Sequence, residues 1–182
     1  MVDKDEDDVA TWDGTNATMD HKICFHSKDE VKRAVTCWSI EKKREYYVTQ
    51  STKTACSVRC RSLKFPTPRG CVPCGWKARA TLKDKDYGLW EMVVWTDAYN
   101  CLSCAEGRDH KNVTSTYITR LIVRKVKENY EYAVRDVQTD VHDLLKVKVS
   151  YKKAWHGRRK AIEGVYGDWR TNFKELPRYD DL

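Results

Sequence analysis

Two cysteine pairs constrain this chain more than any other feature. Cys71-Val72-Pro73-Cys74 and Cys101-Leu102-Ser103-Cys104 each place two thiols two residues apart. The residues between the pairs suffice for one β-hairpin, with alternating arms at 76–82 and 89–95 and a polar turn at 83–88. Pairs that bracket a hairpin bring four soft thiolates toward one point, the arrangement Zn2+ takes at about 2.3 Å. The expected product is a small sheet fixed by Zn2+. The eight cysteines could instead form disulfides, but the acidic N-terminus has no basic segment followed by an apolar one, so no secretory signal is read. A reducing compartment is therefore expected, where thiols hold metal rather than pair. The sequons at Asn16 and Asn112 are read as coincidental on the same ground. No apolar stretch approaches the roughly 20 residues of a membrane span, so no membrane partner is expected.

More ligands are present than one ion needs. Cys56, Cys60 and His110 lie near the two pairs in sequence, and a structural zinc takes four donors. Spacing alone selects Cys71, Cys74, Cys101 and Cys104. A second reading takes Cys60, from the end of a strand, in place of Cys71. Cys24 and Cys37 border an apolar helical face and are expected in the core, since unligated cysteines behave as small hydrophobes.

Around the cysteines the pattern is α+β. Ser27-Lys28-Asp29-Glu30 is a capping box, and Val31, Ala34, Val35 and Trp38 follow on one helical face. A helix is expected over 28–41. Segments 45–50 and 55–60 read as a hairpin around a polar turn, and with the arms at 76–82 and 89–95 they predict a four-stranded antiparallel sheet. Beyond residue 112 the period becomes helical. Ile118, Leu121, Ile122 and Val126 form one face behind Thr114 or Ser115, and Val134, Val137, Val141 and Leu144 form another. Ser150 opens a third helix carrying Tyr151, Ala154, Trp155, Ile162 and Val165, with Gly167 at its end and Asp168 as cap of a short last one. The predicted organisation is an acidic disordered leader (1–20), a metal-bound sheet domain preceded by one helix (21–111) and a helical region (112–182).

Charge points to a partner. The net charge is +7, yet residues 1–20 set Lys4 alone against Asp3, Asp5, Glu6, Asp7, Asp8, Asp13 and Asp20, so the remainder is more basic than the total suggests. A basic body behind an acidic lead fits a polyanion such as double-stranded DNA, to which Lys and Arg bind by neutralising phosphates and releasing counterions.

Several motifs occur in an order that resembles one family. The stretch from Phe25 to Val35 is similar to the opening helix of plant Mutator-like (MuDR-type) transposases. Val58-Arg59-Cys60, Cys74-Gly75-Trp76 with Ala80, and Asp109-His110-Lys111-Asn112-Val113-Thr114-Ser115 match the motifs that follow in that family. So do Ser150-Tyr151-Lys152-Lys153-Ala154-Trp155, Lys160-Ala161-Ile162, Gly167-Asp168-Trp169 and Leu176-Pro177. The resemblance covers about residues 21–180 and implies a WRKY-like zinc finger: a small antiparallel sheet ligated by two cysteines and a His-x-Cys or His-x-His pair. Here Tyr99-Asn100-Cys101 stands where the family has His-x-Cys. Cys104 is the nearest replacement, giving Cys60, Cys74, Cys101 and Cys104, with Cys71 as an alternative to Cys60 and His110 as a weaker substitute.

In WRKY-like domains the strand before the first ligand reads DNA. Lys42, Lys43 and Arg44 are then expected on phosphates, and Tyr46 or Gln50 on a base edge or sugar, although alternation fits the tyrosines equally well to the sheet core. Lys53, Lys77 and Arg79 add cations on the sheet, and Lys152, Lys153, Arg158, Arg159 and Lys160 add them on the last long helix, where a merely solvated face is the simpler reading. Trp76, Trp90 and Trp95 are expected under the sheet. The family's catalytic core, three carboxylates on two divalent metals, follows the region of resemblance. Nor does a Gly-rich phosphate loop or Ser-His-Asp set occur here, so no enzyme is expected. The resemblance implies a nuclear DNA-binding module, with self-association or other transposase domains as further contacts. The alternative is a protein-interaction or assembly module in which zinc is purely structural.

Overall fold

Helix α1 (Lys28–Glu41) begins where the capping box places it, in a computed structural model that describes residues 10–14, 19–63, 74–96, 101 and 109–167. The Ser27 hydroxyl accepts from the Glu30 amide at 3.2 Å, and the Glu30 carboxylate accepts from the His26 amide at 2.8 Å. The helix buries Val31, Ala34, Val35 and Trp38. The chain divides into two units, Met1–Glu106 and Gly107–Leu182.

In the first unit α1 covers one face of an antiparallel sheet. The strands are β1 (Cys24–Phe25), β2 (Tyr46–Ser51), β3 (Ala55–Cys60), β4 (Lys77–Asp84) and β5 (Leu89–Trp95), in the spatial order β1-β5-β4-β3-β2. The expected count of four is thus corrected to five. The extra strand, β1, is two residues long and pairs with β5 through Cys24↔Glu91 and Phe25↔Trp90, too short to leave an alternating pattern. Before it, the Trp12 amide donates to the Cys24 carbonyl and the Cys24 amide to that of Ala10, so a further piece of backbone lies along the outer side of β1. Trp12 and Met19, within the stretch read as a disordered leader, are buried. Two large apolar side chains can anchor an otherwise acidic segment. On the opposite border, β2 carries a bulge between Val48 and Gln50.

Side-chain alternation sorts the sheet into two faces. Cys56, Val58 and Cys60 of β3, Ala78 and Ala80 of β4, and Trp90 and Met92 of β5 are buried in the core with α1. There Trp38 stacks on Trp76 at 4.7 Å and 8°, and Trp95 stands edge-on to both at 4.9 and 5.5 Å. These are the geometries that aromatic quadrupoles favour. Trp76 and Trp90 are thus buried in the core and Trp95 packs half-buried against it, after an irregularity in the β4–β5 register between Met92 and Val94.

The second unit holds three helices, α2 (Ser115–Glu128), α3 (Val134–Leu145) and α4 (Tyr151–Tyr166), at the positions the apolar periodicity marks. The Thr114 and Ser150 hydroxyls cap α2 and α4. The turn expected after Asp168 lies outside the described residues. Ile118, Ile122 and Val126 of α2 are buried, as are Ala154, Gly157 and Ala161 of α4, and large residues on one helix meet small ones on the other. The approach is closest at Gly157, where a Cβ would sit 2.6 Å from Ile118 Cγ2. Gly157→Ala is therefore expected to destabilise this unit by about 1–3 kcal/mol. Urea denaturation followed by far-UV circular dichroism measures it. Gly164→Ala, where a Cβ would meet nothing within 4 Å, is the matched control and should be neutral or stabilising. No described helix is long and apolar enough to cross a membrane.

Candidate metal centre

The sheet topology gathers the cysteines. In an antiparallel arrangement the end of β3, the start of β4 and the end of β5 fall at the same end of the sheet. Cys60 closes β3, Cys74 lies three residues before Lys77, the first residue of β4, and Cys101 follows β5. The Cys60 amide donates to the Trp76 carbonyl at 3.1 Å, which fixes the first two strands in register beside the thiols. The Sγ atoms of Cys60, Cys74 and Cys101 all lie within 4.8 Å of one another and all three residues are buried. The Cys60–Cys101 separation is 3.5 Å, while sulphurs at the corners of a zinc tetrahedron are about 3.8 Å apart for 2.3 Å bonds. This cluster can hold a metal ion.

The neighbours suit thiolates. The Ser62 hydroxyl, itself buried, lies 3.1 Å from Cys60 Sγ. The Arg44 guanidinium donates to the Cys101 carbonyl and lies 3.8 Å from its sulphur. A fixed cation and hydroxyl donors stabilise sulphur anions and orient them for a metal. Burial pushes the Cys60 thiol up to about 12, a rise that the Ser62 contacts oppose and the adjacent Cys101 increases. A soft cation entering the cluster must therefore displace thiol protons.

No family model, curated protein or solved structure matches this chain.

Of the six ligand candidates, the structure brings together Cys60, Cys74 and Cys101; Cys71 and Cys104 lie outside the described residues. His110 belongs to the second unit, where it is fully buried, its amide donating to the Lys148 carbonyl at 3.3 Å and its own carbonyl accepting from Lys153 Nζ at 2.7 Å. Cys24, Cys56 and Cys37 stand in β1, β3 and α1 outside the cluster, the first two buried, as small core hydrophobes do.

The basic candidates separate equally clearly. Arg44 is engaged with Cys101, and Tyr46 is turned to the core, its hydroxyl 2.8 Å from Thr36 Oγ1 and its ionisation raised chiefly by burial. Lys42 pairs with Glu41 at 3.2 Å on the surface. Lys43 adopts φ 52° just after α1. Gln50, Lys53, Lys77 and Arg79 are exposed. In the second unit Lys153 bonds Asp109 at 3.0 Å, and Arg158 holds the carbonyls of Tyr130 and Tyr132, so both brace the helices. Arg159 pairs with Glu163 at 2.6 Å and covers the Trp155 ring, while Lys152 is exposed.

Sequence reasoning did not single out Arg59. It is one residue before Cys60, so alternation alone puts it on the face opposite the thiol, and the strand register sets it directly across from Lys77.

Proposed function

We propose that this chain is a zinc-dependent module for binding double-stranded DNA, of the kind that forms the N-terminal part of Mutator-like transposases. The observation that carries the reading is the convergence of three buried thiols at one end of a sheet whose opposite face is basic. Cys60, Cys74 and Cys101 supply three ligands, and either Cys104 or Cys71 supplies the fourth. Four sulphur donors at a tetrahedral site select zinc among the common divalent ions. The ion's part is structural: it ties the ends of three strands, as small metal domains require when their apolar core alone is thin. The protein's cations then meet phosphates on a surface that does not have to be ordered on binding.

The test has two halves. The purified chain is expected to carry about one zinc per molecule by elemental analysis. Its affinity for duplex DNA is expected to fall steeply with salt, by about 0.9 in logarithmic slope for each phosphate neutralised. Zinc without salt-sensitive DNA binding would favour a second reading, an assembly module. The exposed Leu144, Tyr151 and Trp155 of the second unit support that alternative.

A further inference from the structure

The face of the sheet turned away from α1 is charged in an uneven way. Arg59 on β3 and Lys77 on β4 are direct cross-strand partners, and Arg79 faces Ser57 in a neighbouring row. The backbone of Lys77 is hydrogen-bonded toward the other side, to Thr96, whose amide donates to its carbonyl at 3.2 Å. Arg59 and Lys77 are consequently a non-hydrogen-bonded pair, the kind in which Cα atoms approach to about 4.5 Å and side chains are closest. Like charges directly opposite destabilise a sheet. Farther along the same face Lys83 has Glu91 at 3.2 Å, whereas Arg59, Lys77 and Arg79 have no ion pair among the described residues.

These three cations border a shallow groove of about 510 Å³, lined also by Tyr47, Gln50 and Ser57. The Ser57 hydroxyl oxygen is buried there with no hydrogen-bond partner among the described residues. Repelling cations beside an unsatisfied hydroxyl form a site for an anion with several oxygens. Lys77 and Arg79, two residues apart on one strand, are separated by about 6.8 Å, close to the interval between successive phosphates of a nucleic-acid strand.

We propose that this open face, across β3 and β4, binds the phosphate backbone of duplex DNA, with Arg59, Lys77 and Arg79 as the anion-binding side chains. The proposal rests on the DNA-binding reading above and moves the contact from the segment before β2 to the sheet face. Single-stranded binding surfaces rely on successive aromatic platforms, and among the described residues Tyr47 is the one aromatic side chain that lines the groove. The metal centre supports the same site, because Arg59 adjoins Cys60 and Lys77 follows Cys74 by three residues. A ligated cluster fixes the strand ends from which both cations project.

The experiment uses the full zinc-loaded chain and a labelled random-sequence duplex, with affinity measured by fluorescence anisotropy across a salt series. Arg59→Gln, Lys77→Gln and Arg79→Gln are each expected to weaken binding about tenfold at low salt and to lower the salt slope by about 0.9. Lys77→Gln should at the same time raise Tm, because it relieves the cross-strand repulsion. Lys42→Gln with Lys43→Gln is expected to have little effect. Wild-type binding that survives in the triple Gln variant but is lost in the Lys42/Lys43 variant overturns the proposed face while leaving the DNA reading intact. No salt-sensitive binding by the wild type overturns both. A variant that loses affinity and Tm together reports damage to the sheet and counts against the site. Tighter binding to single strands of the same length, or equal competition by polyglutamate, also overturns it.

Discussion

Cys74→Ser is expected to abolish metal retention and unfold the first unit of the chain. Structural zinc sites supply about 10–16 kcal/mol of apparent binding free energy, as large as the whole stability of a typical domain, about 5–15 kcal/mol. A serine hydroxyl in place of a thiolate forfeits most of it, and leaves a polar oxygen where Cys74 is only 1% exposed. Elemental analysis of the purified variant, with tryptophan fluorescence during heating, reads both effects. Trp38, Trp76 and Trp95 form one cluster in that unit and report its integrity directly. Cys56→Ser is the decisive comparison. Cys56 is buried in the same sheet but stands apart from the thiol cluster, so it should lose some stability and keep its metal. Equal zinc content in wild type and Cys74→Ser would refute the metal centre.

Trp76→Ala is expected to cost about 3–5 kcal/mol. Trp76 is fully buried and stacks on α1 through Trp38 while Trp95 closes on its edge, so its removal opens a cavity between the helix and the sheet. Guanidinium denaturation with excess zinc measures this loss without confusing it with metal release. Trp76→Phe, which keeps an aromatic face, should recover much of the difference. A change below about 1 kcal/mol for the alanine variant would mean that surrounding side chains collapse into the space, in conflict with the close packing of the three rings.

Most of the secondary structure was legible because each element carried its own local signal. The capping box marked the start of α1, alternation marked β2 to β5, and apolar spacing marked α2 to α4. What escaped was set by tertiary contacts. Two residues cannot display a period, so β1 was invisible until β5 offered it a partner. Trp12 and Met19 were hidden by the acids around them, since composition averaged over a segment hides two good anchors.

The thiol cluster was half legible. Cys74 and Cys101, one from each pair, meet at one end of the sheet, whereas the approach of Cys60 depends on where β3 stops relative to β4, which is a matter of register. Arg44 shows the opposite failure. In sequence it is one of three consecutive basic residues, Lys42-Lys43-Arg44, and nothing local distinguishes it. In the structure its guanidinium reaches Cys101, more than fifty positions away in the chain. Arg59 was missed because a charge facing solvent looks ordinary until its cross-strand neighbour is known.

The two borders of the sheet bear on how the protein behaves in a crowded cell. An open strand invites another polypeptide to add to it, the first step toward fibrils or swapped dimers. Here residues 10–12 run along β1, and the bulge after Val48 kinks the backbone of β2. Among the described residues neither margin offers a long straight template, so copies of the domain can be crowded together without zipping into one another.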